Sequence, residues 1–191
     1  MLVTRPRPLA LAVAPARAWV RVGLVVAGSA LIALAAQVSL PLPFSPVPVT
    51  GQTFAVLLIA AALGSRLGPA TVALYVAEGL VGLPVFAGGA AGPARLAGPT
   101  GGYLGGFVLA AFVVGLLAER GWDRRVGTCI LAMLAGEVAI YALGLAWLSR
   151  FPLPVGLLEA GLLPFLPGDA YKLAAAALVL PAAWRVLPSI R

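Results

Sequence analysis

Long apolar runs dominate this chain: near 19–40, 126–148 and 166–187 each is about twenty residues long with few charges, and those near 50–63, 67–83 and 102–118 are shorter but similar. An α-helix rises about 1.5 Å per residue, so about twenty such residues cross the roughly 30 Å hydrocarbon layer of a bilayer. No water is available there to satisfy backbone N–H and C=O groups, and a helix satisfies them within itself. With 62% hydrophobic and 10% charged residues, most of the chain has lipid for its solvent. The expectation is an all-α membrane protein of six transmembrane helices, a single domain over 19–191 preceded by a cytoplasmic flank over 1–18.

The run Thr53–Leu63 is about half the length needed to cross, and the arginines decide how to count it. If it crosses together with residues from about 50, then Arg5, Arg7, Arg17, Arg21, Arg66, Arg120, Arg124, Arg125, Arg185 and Arg191 share one side, and Arg95 and Arg150 lie opposite. If it does not, the arginines after it change sides, against the tendency of basic residues to remain cytoplasmic. Six crossings with both termini in the cytoplasm follow. The net charge of +7 is therefore a topology signal and not a nucleic-acid footprint.

Two connections on the outer side are unusual. Residues 41–52 carry four prolines, at 41, 43, 46 and 48, which forbid a regular helix and predict a stiff extended loop. Residues 84–101 are rich in glycine and proline yet too apolar for a solvated linker. Such backbone persists near a membrane when it packs on protein or lines a cavity, so this segment is expected to cover one.

Asp169 and Lys172, the chain's only lysine, open the last apolar run three positions apart and share a helical face. Charge placed inside a bilayer is costly and marks function. With Arg95 on the same side, the region offers two cations and one carboxylate. The cations suit a ligand carboxylate, and Asp169 suits N–H donors of an amide or urea. Phe44, Phe86, Tyr103 and Tyr171 are candidates for an aromatic wall, and Glu78 and Glu137 also fall within spans, Glu78 as a candidate cavity residue and either as a group that reaches across to another helix. The ligand class is a small organic acid with an apolar body. No histidine occurs, and the single Cys129 has no activator, so neither metal binding nor nucleophilic catalysis has a basis. There is no phosphate-binding Gly-x-x-x-x-Gly-Lys-Ser/Thr loop, so energy for transport has to come from another chain.

Four ordered motifs sharpen this reading: Pro46-Val47-Pro48-Val49-Thr50-Gly51-Gln52-Thr53-Phe54, Gly82-Leu83-Pro84-Val85-Phe86-Ala87-Gly88, Gly98-Pro99-Thr100-Gly101-Gly102-Tyr103, and Gly168-Asp169-x-x-Lys172. In this order, from about Gln37 to Leu178, the chain resembles the BioY family, the biotin-binding S components of energy-coupling-factor (ECF) vitamin transporters. The resemblance implies biotin capture from outside, beneath the first and third loops, in the cytoplasmic membrane of a prokaryote. It also implies a transmembrane coupling subunit and two cytoplasmic ATPases as partners, with ATP hydrolysed only by those partners and no cofactor or metal on this chain. Carried over to this sequence, Asp169 and Lys172 match the Gly-Asp-x-x-Lys motif, and Arg95 falls in the loop where the family has a binding arginine. Gln52, Thr50 or backbone groups stand in for an asparagine that family members use and that this chain lacks. The family's small-residue docking motif on the first helix has its nearest matches in Gly23/Ala27 and Ser29/Ala33. Two other readings are an S component for a different vitamin such as thiamine, against which the two cations speak, and a small membrane enzyme acting on lipid, for which Asp169 and Glu78 would be the acid and base.

Overall fold

The structure, a computed structural model, describes residues 8–15 and 17–186. Of the arginines that set the topology, Arg5, Arg7 and Arg191 lie outside the described residues. Helix α1 (Leu9–Val13) forms within the flank and packs on the bundle through Ala10. Helix α2 (Ala18–Gln37) ends three residues before the expected boundary at Leu40, because strand β1 (Ser39–Leu42) begins there and pairs antiparallel with β2 (Ser45–Thr50). The fold is therefore not purely helical. A two-stranded ribbon uses only alternate N–H groups on each strand, so the prolines that exclude a helix are compatible with it.

The span α3 (Gln52–Leu80) consists of two helical arms that differ in direction. Gly64 has φ 80° and ψ −176°, backbone that favours glycine, and the helix breaks there. Gln52 Nε2 nevertheless lies 2.5 Å from the Tyr75 hydroxyl, 23 residues along the chain. A straight helix would separate these positions by about 35 Å, so the arms 52–63 and 65–80 fold back on one another as an antiparallel hairpin. Glu119 closes the tip, accepting from the Ser65 backbone N–H at 2.8 Å and from its hydroxyl at 2.9 Å.

Helix α4 (Pro93–Ala97) is a single turn within the third connection. Helix α5 (Gly101–Ala118) packs on both α3 and α6 (Val126–Leu148), and Gly106 permits contact with the Ile140 backbone. The short α7 (Leu157–Gly161) leads to α8 (Leu166–Val186), which lies along α6 and contains Pro181. Ile32, Val56, Leu57, Tyr75, Val114, Met133 and Ile140 fill the core. Among the described residues four helices are long and apolar enough to cross a membrane: α2, α3, α5 and α6. The segments 38–51, 81–100 and 149–165 gather at one end of the bundle with the first turns of α3 and α8. Arg95 and Arg150 belong to that end, while Arg17, Arg21, Arg66, Arg120, Arg124, Arg125 and Arg185 lie at or near the other.

Candidate ligand-binding site

At the loop-bearing end the helices enclose a chamber whose empty volume, partly open to solvent, is about 690 Å³. Its walls combine Val47, Pro48 and Phe86 from the connections with Tyr103, Leu104 and Phe107 from α5, Ile140 and Tyr141 from α6, and Phe165 from the approach to α8.

Polar groups interrupt this apolar lining, and the tightest cluster of them surrounds Asp169. Asp169 occupies the first turn of α8 and is 4% exposed. Lys172 Nζ donates to Asp169 Oδ1 at 3.0 Å, one helical turn away, and to Thr53 Oγ1 on α3 at 2.8 Å. The Tyr141 hydroxyl donates to the other Asp169 oxygen. Three helices thus converge on one ion pair, which holds it in a single orientation facing the chamber. Arg95 is set apart from this cluster. It lines the chamber from α4, is exposed, and has no ion pair among the described residues.

The roof is tied down by hydrogen bonds from helices. Gln37 at the end of α2 accepts from Gly89 N–H at 3.0 Å and donates to the Phe86 carbonyl at 3.3 Å. The Tyr75 hydroxyl donates to the Val85 carbonyl at 3.2 Å, and its ring meets Phe86 edge-on at 5.6 Å between centroids. Trp147 Nε1 donates to the Gly98 carbonyl at 2.9 Å, and Ser45 Oγ joins the β-hairpin to the Ala160 carbonyl at 2.6 Å. Gln52 Oε1 accepts from Thr50 Oγ1 at 3.1 Å, and these two residues line the chamber.

The chamber brings together Asp169, Lys172, Arg95, Tyr103, Phe86, Gln52 and Thr50. It leaves out Tyr171, 80% exposed on the opposite side of α8, and Phe44, 38% exposed on the hairpin. Consecutive helical residues point about 100° apart, so Lys172 facing inward turns Tyr171 away. Glu78 does not line the chamber; it accepts from Ser29 Oγ at 3.0 Å across the α2–α3 contact. That bond also buries Ser29, and Ala33 packs on the core, so this pair is not part of an open docking face. Gly23 and Ala27 remain exposed, with nothing near Gly23. Thr53 and Tyr141 were not singled out by sequence reasoning. Thr53 belongs to the first motif, whereas Tyr141 stands on α6, outside all four motifs.

Residues 10–189 match the BioY family. The chain belongs to the BioY family. Curated BioY relatives include the biotin transporter BioY of Thermotoga maritima, 44% identical over 152 residues that cover 79% of this chain and 88% of the relative. A probable biotin transporter BioY of Pyrococcus horikoshii is 40% identical over 161 residues, 83% and 92% of the two chains. The biotin transporter BioY of Rhizobium etli is 36% identical over 158 residues, 78% and 84% respectively. A crystal structure of the S component for biotin from an ECF-type ABC transporter superposes with a TM-score of 0.73 at 26% identity, covering 87% of this chain and 92% of that one. This BioY chain accordingly shares its architecture with a transport component and not with an enzyme.

Proposed function

We propose that this protein captures biotin at the outer face of the cytoplasmic membrane and serves as the substrate-binding S component of an ECF-type transporter. The observation that carries this reading is the Lys172–Asp169 pair, anchored by Thr53 and Tyr141, in the floor of an otherwise apolar chamber with Arg95 at its edge. Biotin has a matching division of chemistry: a urea-like ring with N–H donors and a carbonyl, an apolar body, and a carboxylate tail. Asp169 accepts from the ureido N–H groups, Lys172 donates to the ureido oxygen, and Arg95 meets the carboxylate. Phe86 and Tyr103 enclose the apolar middle, and Gln52 and Thr50 supply polar contacts below the first connection.

In this reading the two arms of α3 count as separate crossings, giving six, and the arginine-rich end faces the cytoplasm with both termini. The membrane domain is 19–191 and the flank 1–18. A coupling subunit docks on α2 over the open Gly23/Ala27 face, and two ATPases supply the energy, so the chain itself needs neither metal nor cofactor. Titration of the purified protein with biotin tests the assignment. Submicromolar binding that weakens at least tenfold in Lys172→Ala is expected. Binding weaker than micromolar, or unaffected by Lys172→Ala, rejects it. A second vitamin such as thiamine, itself cationic, is disfavoured by Arg95 and Lys172 and is expected not to compete.

A further inference from the structure

A second acid stands behind the polar cluster without a partner. Glu137, on α6, is 5% exposed, and neither of its carboxylate oxygens has a hydrogen-bond partner among the described residues. Buried carboxylates are almost always paired, and one that is not calls for a physical reason. Its position supplies one. Helices α6 and α8 run antiparallel: Tyr141 meets Asp169 near the loop-bearing end, and farther along Cys129 Sγ lies 3.8 Å from the Ala176 carbonyl. Between these contacts Glu137 falls across from the turn of α8 that carries Lys172. It sits one helical turn below Tyr141, on the same face and about 6 Å deeper, within electrostatic reach of both Asp169 and Lys172.

The hydrogen-bond inventory of the cluster shows what this placement can do. An ammonium has three N–H donors, and Lys172 uses two, one to Asp169 and one to Thr53. Asp169 has both oxygens engaged, by Lys172 and by Tyr141. A ligand whose N–H groups approach Asp169 therefore shares its oxygens with Lys172 and Tyr141, and this sharing loosens the hold of the carboxylate on the ammonium. Resting on the biotin reading above, we propose that Glu137 is a positioning residue that takes over the Lys172 ammonium when the ligand claims Asp169. The cation exchanges one carboxylate for another a turn deeper, keeps Thr53, and turns a remaining donor to the ligand. Asp169 is then free for the ureido N–H groups, and the ammonium keeps a carboxylate beside it throughout. Without Glu137 the same exchange would strand the ammonium in apolar surroundings.

Because Lys172 is the only lysine, biosynthetic labelling at the lysine ε carbon places a single reporter at this point, readable by nuclear magnetic resonance in detergent micelles. In the unsubstituted protein, saturating biotin is expected to shift that resonance. In Glu137→Gln the shift is lost and the dissociation constant rises by about tenfold or more, while the ligand-free protein melts near the wild-type temperature because Glu137 has no hydrogen bond there to lose. Glu137→Asp, which keeps the charge but shortens its reach, is expected to fall between the two in both readouts. Wild-type affinity and a wild-type resonance shift in Glu137→Gln overturn the inference, as does an unshifted resonance in biotin-bound wild-type protein. Failure of the unsubstituted protein to bind biotin at all overturns the function itself, a result that no Glu137 variant is needed to recognise.

Discussion

Replacing Asp169 by asparagine tests the polar cluster with little change in shape. The amide preserves the volume of the side chain and can still accept from Tyr141, but it no longer presents a negative charge 3.0 Å from Lys172. Hydrogen bonds to charged groups contribute about 1.5–3 kcal/mol, and neutral ones about 0.5–1.5 kcal/mol. Exchanging one kind for the other costs roughly 1–1.5 kcal/mol for each ligand N–H that Asp169 receives. Two such donors on a urea ring bring the loss to about 2–3 kcal/mol, a dissociation constant weaker by roughly 30- to 140-fold. A second effect falls on the ligand-free protein. Removing one partner of a fully buried ion pair costs about 3–5 kcal/mol. Lys172 is 18% exposed at its side chain and keeps Thr53 at 2.8 Å, which places the loss at or below the lower end of that range. Calorimetric titration with biotin reads the first effect and thermal melting without ligand the second. An Asp169→Asn protein that binds within about twofold of wild type would refute the role given to this carboxylate, whatever its melting temperature.

Gln52→Ala breaks the bond to Tyr75, whose hydroxyl also holds the Val85 carbonyl, so the roof loses a tie and biotin is expected to dissociate faster at nearly unchanged association rate; stopped-flow measurement would show it. Gly64→Ala places a side chain where φ is 80° and where a Cβ would meet Pro8 and Glu119, and a loss of about 1–3 kcal/mol in stability is expected from the strained backbone alone. At the arginine-rich end, burial pushes the Asp123 carboxyl above its usual range, opposed by the hydrogen bond from Trp184 Nε1 at 2.6 Å. The folded state then holds this proton more tightly than the unfolded chain does. Its stabilising effect is complete below about pH 4 and is lost as pH rises toward the raised folded value. Asp123→Asn should flatten that part of the melting profile, and an unchanged profile would contradict the assignment.

Much of the architecture was legible in one dimension. Run length against bilayer thickness separated lipid-embedded segments from connections, the prolines at 41, 43, 46 and 48 excluded a helix, and the asymmetry of the arginines divided the ends of the bundle. The prolines did not reveal the hairpin, since strand pairing of β1 with β2 depends on register between two segments. Asp169 and Lys172 could be paired from the sequence because three residues along a helix is a local distance.

The contacts that finish the site are not local. A helix that is apolar on every side has no face marked by polarity, so its rotation about its own axis is set only by the neighbours it packs against. For that reason Tyr171 and Lys172, adjacent in the chain, could not be assigned to outside and inside until α8 was seen against α6. The same rotation sent Glu78 to Ser29 and brought Thr53 and Tyr141 to the ion pair. Composition and spacing settled which solvent surrounds the chain and which charges must be accommodated in it; close packing between helices far apart in sequence chose their partners.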